Sequence, residues 1–183
     1  MSFPSHARKV FTGEIFDVYQ WEQVVYDGTT KIFEGLSRDH AVQIIATGNE
    51  MVYIGKQEQP HLDHPFYCIF GGRIDPGEAP LAAAKRELRE ESGLTSIDWS
   101  LYRTISPYSK MDFLVHIYIA KHCTRGGDQQ LDGGEKIDVL EVTFDDFFDI
   151  VRRDDFFGRE NQVDLLKRHI DDPSLQSFRT LIF

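Results

Sequence analysis

Gly72-Arg73-Ile74-Asp75-Pro76-Gly77-Glu78, followed after seven residues by Arg86-Glu87-Leu88-Arg89-Glu90-Glu91-Ser92-Gly93-Leu94, is the stretch that decides how this chain folds. Pro76-Gly77 is a turn pair, and Pro80 suits the first turn of a helix, where its missing N–H costs little. Residues 79–92 predict an Ala-rich helix with Gly93 as its C-terminal cap. Leu81, Ala84 and Leu88 fall on one face of that helix, and Glu87, Glu90 and Glu91 fall beside it, at the edge of a cleft. Like charges spaced i, i+3 and i+4 repel by a few tenths of a kcal/mol per pair. A hard divalent cation turns that repulsion into coordination, and carboxylate-held Mg²⁺ usually shares its sphere with substrate phosphates. The plainer reading is a solvated face laced with ion pairs, since Arg86 and Glu90 stand at i, i+4. The context favours the ion. Gly71-Gly72 closes an apolar segment and lets backbone carbonyls approach a metal, and Glu78 is placed to pair with Arg86.

Outward from this stretch the chain alternates between strand and turn signals. Residues 14–26 and 30–37 are aromatic and β-branched runs around Asp27-Gly28, a hairpin signal. Residues 41–46 and 51–55 form a second pair around Gly48-Asn49, and 66–70 form a short strand running into Gly71. The intervening segment 56–65, polar with two prolines and two histidines, reads as a loop. After the helix, 99–105 and 113–120 read as strands around Ser106-Pro107-Tyr108-Ser109-Lys110. A Gly-, Asp- and Gln-rich loop (124–134) leads to a strand at 137–144, and helices at about 145–152 and 161–169 close the reading. Strands interrupted by one early helix and finished by helices indicate an α/β or α+β sandwich.

Composition narrows the functional classes. The 183 residues carry a net charge of −10, which argues against nucleic acid or an anionic membrane as a general partner and requires local cations for any phosphate substrate. With 41% apolar and 27% charged residues the chain is an ordinary globular protein. Its two cysteines, Cys68 and Cys123, sit in apolar runs and read as buried thiols in a reducing compartment. No signal peptide or membrane-spanning run is evident, so a cytoplasmic protein is expected. The histidines show no zinc-ligand spacing, and neither cysteine has a base nearby in sequence.

Gly72, Glu78, Arg86, Glu87, Leu88, Glu90, Glu91, Gly93 and Leu94 fill every defined position of the box GX5EX7REUXEEXGU, with U a bulky aliphatic. The chain therefore resembles the Nudix hydrolases. The resemblance implies a Nudix-type α/β/α sandwich with a mixed sheet, and Mg²⁺ (or Mn²⁺) held by Glu87, Glu90 and Glu91 with a carbonyl of Gly71 or Gly72. It gives Gly72, Glu78, Arg86 and Gly93 structural roles in the box. Looser flanking likeness, in residues 19–36, Lys56-Gln57-Glu58-Gln59, Ser106-Pro107-Tyr108 and Gly133-Gly134-Glu135-Lys136-Ile137-Asp138, points to the ADP-ribose and nucleoside-diphosphate-sugar pyrophosphatases. That group implies residues 1–40 as an antiparallel strand region packing across a homodimer, and 41–183 as the hydrolase domain.

Within the resemblance, Glu135 is the favoured general base or outer metal ligand, with Glu87 the other candidate base. Phe16, Lys56, Gln57, Arg73 and Tyr108 are the substrate-binding candidates. Phe16, Tyr108 and Trp21 could equally be packing residues. Two positions depart from the pattern. The basic residue expected near Gln59 is missing, which leaves Lys56 or Arg73 to substitute, and glycines stand at 133 and 134, leaving Asp132 and Glu135 as the loop's acids. The implied reaction is hydrolysis of the diphosphate in ADP-ribose or another nucleoside-diphosphate sugar. Hydrolysis of noncanonical nucleoside triphosphates and a non-catalytic nucleotide sensor are the competing readings.

Overall fold

Alternation of apolar side chains along Ala41–Gly48 (β4) builds the fold from its centre. Because successive strand residues face opposite ways, Val42, Ile44 and Ala46 enter one apolar cluster while Ile45 enters another. The computed structural model describes residues 3–169 and 171–183, so the first two residues of the expected N-terminal region lie outside the described residues. β4 pairs with Met51–Glu58 (β5) through a tight turn and lies parallel to Val115–Lys121 (β10). Lys136–Val142 (β12) and Asp98–Ile105 (β8) complete a mixed sheet in the order β12-β5-β4-β10-β8, and Phe66–Cys68 (β6) pairs with β5.

Helices cover both faces. Pro80–Ser92 (α1) packs Ala83, Ala84 and Leu88 on the Val42–Ile44–Ala46 face. Phe144–Val151 (α2) and Asp172–Ile182 (α4) pack Phe144, Phe147, Phe148, Val151, Phe178 and Ile182 on the other, alongside Leu165 of Arg159–Arg168 (α3). The expected α/β/α sandwich with a mixed sheet is the architecture that forms. Each buried large apolar side chain in these layers contributes roughly 1.5–3 kcal/mol relative to exposure.

The N-terminal strands form a separate sheet. Arg8–Thr12 (β1), Asp17–Val24 (β2) and Thr30–Ser37 (β3) run antiparallel, and β3 pairs in parallel with Met111–Asp112 (β9) from the Ser-Pro loop. Leu94–Thr95 (β7) and Thr124–Arg125 (β11) make a two-stranded pair just after α1.

Several elements differ from the sequence expectation. β1 was not expected, and β5 continues to Glu58 where a loop was expected from Lys56, because β12 supplies it with partners through Lys136. The hairpin turn is Asn49-Glu50, both with positive φ, rather than Gly48-Asn49. Leu81 is 37% exposed, and Ala83 takes its place in the buried stripe of α1. Strand β12 ends at Val142, since Thr143 caps α2 by accepting from the Asp146 N–H. A further helix, α4, follows the two expected; Asp171 and Ser174 form a capping box at its start. Both cysteines are buried and free, as expected. Among the described residues no helix is long and apolar enough to cross a membrane.

Candidate functional site

Gly71 and Gly72 lie where the chain leaves β6 and runs beside β4. The Val42 N–H donates to the Gly72 carbonyl at 2.9 Å, which leaves the Gly71 carbonyl as the one suited to an ion. Gly71 has φ +149°, and a Cβ there would sit 2.2 Å from the Val42 carbonyl oxygen, so only glycine fits. At Gly72 a Cβ would lie 2.5 Å from the Glu87 carboxylate carbon. The missing side chain is the space that Glu87 occupies.

Arg86, itself on α1, organises the acids. Its Nε and Nη2 donate to the two Glu78 oxygens at 3.1 and 2.9 Å, a bidentate pair across the loop. Nη1 donates to Glu87 at 2.8 Å and Glu90 at 3.1 Å, and Nη2 also reaches the Arg73 carbonyl at 3.0 Å. The expected Glu78–Arg86 pairing is therefore made, together with two further carboxylates. Glu91 is held by the backbone instead: it is 7% exposed, and its Oε2 accepts from the Gly71 N–H at 2.7 Å.

Glu135 joins this group from the loop before β12. Gln129 pins that loop, donating through Nε2 to the Glu91 carbonyl (2.6 Å) and the Ile137 carbonyl (2.9 Å), and the Gln130 N–H donates to the Glu90 carbonyl at 2.8 Å. Burial raises the Glu91 carboxyl well above its ordinary range, and the charges of Glu87, Glu135 and Glu90 push it further. Burial likewise raises Glu87 despite its bond to Arg86, and Glu135 is raised by burial with Asp132 and Glu90 adding to it. Glu78 moves down instead, because the Arg86 hydrogen bonds outweigh its slight burial. The site therefore holds negative charge that Arg86 alone leaves uncompensated.

Among the described residues no three acidic, histidine or cysteine side chains are placed so as to hold a metal ion by themselves. Mg²⁺ does not require such a trio: it keeps several waters and takes one or two carboxylates with substrate phosphates. Hard oxygen donors, mutual repulsion among Glu87, Glu91 and Glu135, and a backbone that approaches closely at Gly71 fit such an ion.

A cavity of ≈ 400 Å³ opens beside Gly71-Gly72, lined in part by Arg38, Gln43, Arg73, Tyr108 and Phe157. Arg38, which no sequence signal marked, is its main cation. Its guanidinium lies 4.7 Å from the Phe113 ring centroid and 5.4 Å from that of Phe16. Arg38 Nε and Gln43 Oε1 are buried with no hydrogen-bond partner. Two such atoms in one cleft are what a bound polar group would satisfy. A second cavity, ≈ 380 Å³, lies on the Glu135 side between loop residues such as Asp63 and His64 and the Gly133-Gly134 turn.

The sequence candidates fall into two groups. Gly71, Gly72, Glu78, Arg86, Glu87, Glu90, Glu91 and Glu135 come together, and Arg73 and Tyr108 line the cleft. Gln57 is buried on the α1 face of β5, where its Oε1 lies 3.6 Å from Cys68 Sγ. Lys56 is exposed and, one residue away on the strand, faces the opposite side of the sheet. Phe16 reaches the site through Arg38, and Gly93 caps α1 in the left-handed conformation.

The same region carries the likeness to known proteins. The NUDIX domain family model matches residues 37–166. An ADP-ribose pyrophosphatase of Bacillus subtilis (strain 168) is 28% identical over 148 residues, covering 78% of this chain and 79% of that protein. A methanol dehydrogenase activator of Bacillus methanolicus is 27% identical over 148 residues, covering 79% and 80%. A solved structure described as an ADP compounds hydrolase superposes with a TM-score of 0.72 over 89% of this chain and 92% of that one; at 19% identity the likeness is one of fold.

Proposed function

Because this chain belongs to the NUDIX domain family, and is a pyrophosphatase-type hydrolase related to ADP-ribose pyrophosphatases, we propose that it hydrolyses the diphosphate of ADP-ribose or another nucleoside-diphosphate sugar with Mg²⁺. The products are a nucleoside monophosphate and a sugar phosphate. The observation that carries this reading is the convergence of Glu87, Glu90, Glu91 and Glu135 beside Gly71, next to a cleft in which the buried Arg38 Nε has no hydrogen-bond partner.

Nudix hydrolases in general use divalent metal ions. Glu87, Glu90, Glu91 and the Gly71 carbonyl would hold the ion, with Glu135 at its edge. Such an ion would supply neutralising charge to the diphosphate and would acidify a water for attack on phosphorus. Arg38 and Arg73 hold phosphate oxygens from the cleft and orient the diphosphate for in-line displacement. Glu135 accepts the water's proton; burial and its acidic neighbours raise its carboxylate, which makes it a better base near neutral pH. Glu87 is less available for that role because Arg86 already holds it at 2.8 Å. Tyr108 offers its ring to the nucleobase at the cleft mouth.

Residues 1–40 serve as the dimerisation region of a cytoplasmic homodimer. That assignment is supported by exposed Val10, Phe11, Ile15, Val24 and Ile32 in this strand region, and by a family match that begins only at residue 37. Purified protein with Mg²⁺ is to be given ADP-ribose, nucleoside-diphosphate sugars, dinucleoside polyphosphates and nucleoside triphosphates, with products separated by chromatography. Nucleoside monophosphate from a diphosphate sugar is expected. Preference for triphosphates, or tight nucleotide binding without turnover, would replace the proposal with the triphosphatase or the sensor.

A further inference from the structure

We propose that a third cleft, beside α1 and bordered by Arg86 and Glu90 of the acid cluster, is a mononucleotide-binding site distinct from the substrate cleft. The cavity measures ≈ 540 Å³ and is lined by Lys85, Arg86, Arg89, Glu90, Trp99 and Gln130, among others. It shares no lining residue with the Arg38 cleft or with the cavity beside Glu135. Its volume lies within the range of small-molecule sites.

Arg86 is held here by Glu78, Glu87 and Glu90, which leaves Lys85 and Arg89 as the cleft's uncompensated cations in a chain whose net charge is −10. Lys85 and Arg89 stand at i, i+4 on α1, a spacing at which like charges repel. Arg89, in the last turn, complements the helix dipole; Lys85, nearer the middle, gains nothing from it. Both are exposed, and neither forms an ion pair among the described residues. An anion bridging the two would relieve their repulsion.

Trp99 supplies the second element. Its Nε1 donates to the Ser96 carbonyl at 2.9 Å, and its ring meets Tyr118 edge-on at 6.5 Å, so the indole is oriented before any ligand arrives. Gln130 is tied to α1 through its N–H bond to the Glu90 carbonyl. An oriented indole beside paired cations recognises a base and a phosphate together: the ring stacks on the base, and Lys85 and Arg89 take the phosphate. Arg86 also lines this cleft while holding Glu87 and Glu90, so a phosphate here sits next to the guanidinium that orders the catalytic acids.

The experiment uses the ¹⁵N-labelled full chain without divalent ions, titrated with AMP, ribose 5-phosphate or inorganic phosphate. The Trp99 indole N–H signal, assigned with Trp99→Phe, reports the cleft directly. Saturable shifts with AMP are expected. AMP should bind at least about 10-fold more weakly to the Lys85→Ala/Arg89→Ala variant, and phosphate or ribose 5-phosphate at least about 10-fold more weakly than AMP to the native chain. Diphosphate-sugar hydrolysis by the double variant, measured separately with Mg²⁺ and no added nucleotide, should stay within about 2-fold of the native rate. No Trp99 shift, equal AMP affinity in the double variant, or phosphate binding as tightly as AMP would overturn the proposal. Failure of the hydrolysis reading leaves each of these binding outcomes readable by itself.

Discussion

Gly72→Ala should abolish most catalysis while leaving the fold nearly intact. The added Cβ would lie 2.5 Å from both Glu87 Cδ and Oε1. Ordinary carbon contacts lie at about 3.5–4.0 Å, so the carboxylate must retreat by roughly 1 Å. What gives way is the far end of a side chain, since the three nearest atoms all belong to the Glu87 carboxylate. Stretching the Arg86–Glu87 bond costs about 1–2 kcal/mol, because both side chains are mostly buried. The smaller entropy of an unfolded chain carrying alanine returns about 0.4–1 kcal/mol. The net loss is at most roughly 1.6 kcal/mol, a few degrees in Tm. Catalysis is far more sensitive, because a reacting group misplaced by about 1 Å can lose about 100-fold in rate. The assay pairs kcat on the best diphosphate-sugar substrate with thermal melting, and Gly71→Ala is the contrast. There a Cβ meets backbone at 2.2 Å in a positive-φ conformation, so that variant should fail to fold. A folded Gly72→Ala protein with kcat within about 3-fold of native would refute the assignment of Glu87 to the ion site.

Glu91 gives a pH prediction. Its folded-state pKa lies above its unfolded value near 4.5, so the ion-free protein is most stable with Glu91 protonated and loses stability as pH rises from about 4.5 through the folded value. Glu91→Gln should raise Tm at pH 7.5 without metal and flatten that decline; an equal or lower Tm would contradict the burial argument. Arg38→Ala should raise KM about 10-fold or more with a smaller change in kcat, and an unchanged KM would remove Arg38 from the substrate cleft. Arg86→Lys replaces a fork that serves Glu78, Glu87, Glu90 and the Arg73 carbonyl with a single ammonium. It should cost roughly 2–3 kcal/mol in urea unfolding, and a loss under about 0.5 kcal/mol would show that the network is not structural. Glu50→Gly should stabilise by about 0.5–1 kcal/mol, because Asn49 and Glu50 have φ of 51° and 61° in a two-residue hairpin turn that favours Asn-Gly; a lower urea midpoint would count against it.

The sequence by itself determined the parts of this protein whose partners lie within one or two turns of chain. The glutamates of α1 share an edge because helical spacing puts them there, and Glu78 reaches Arg86 because eight residues of loop and helix return it. Apolar runs also marked β4 and β10, and the order of strands and helices indicated a sandwich. What packing decides was not legible. Lys56 and Gln57 are neighbours in sequence, yet the period of the strand sends only Gln57 toward the acids, and β5 extends that far because β12 pairs with it. Arg38 belongs to no motif; aromatic rings from two distant connecting segments, Phe16 and Phe113, hold it beside Gly71-Gly72. Glu135 meets the helix acids because Gln129 ties its loop to α1 and β12 together. Local spacing fixed the charges that gather an ion, and contacts between distant segments fixed the cleft in which a substrate would lie.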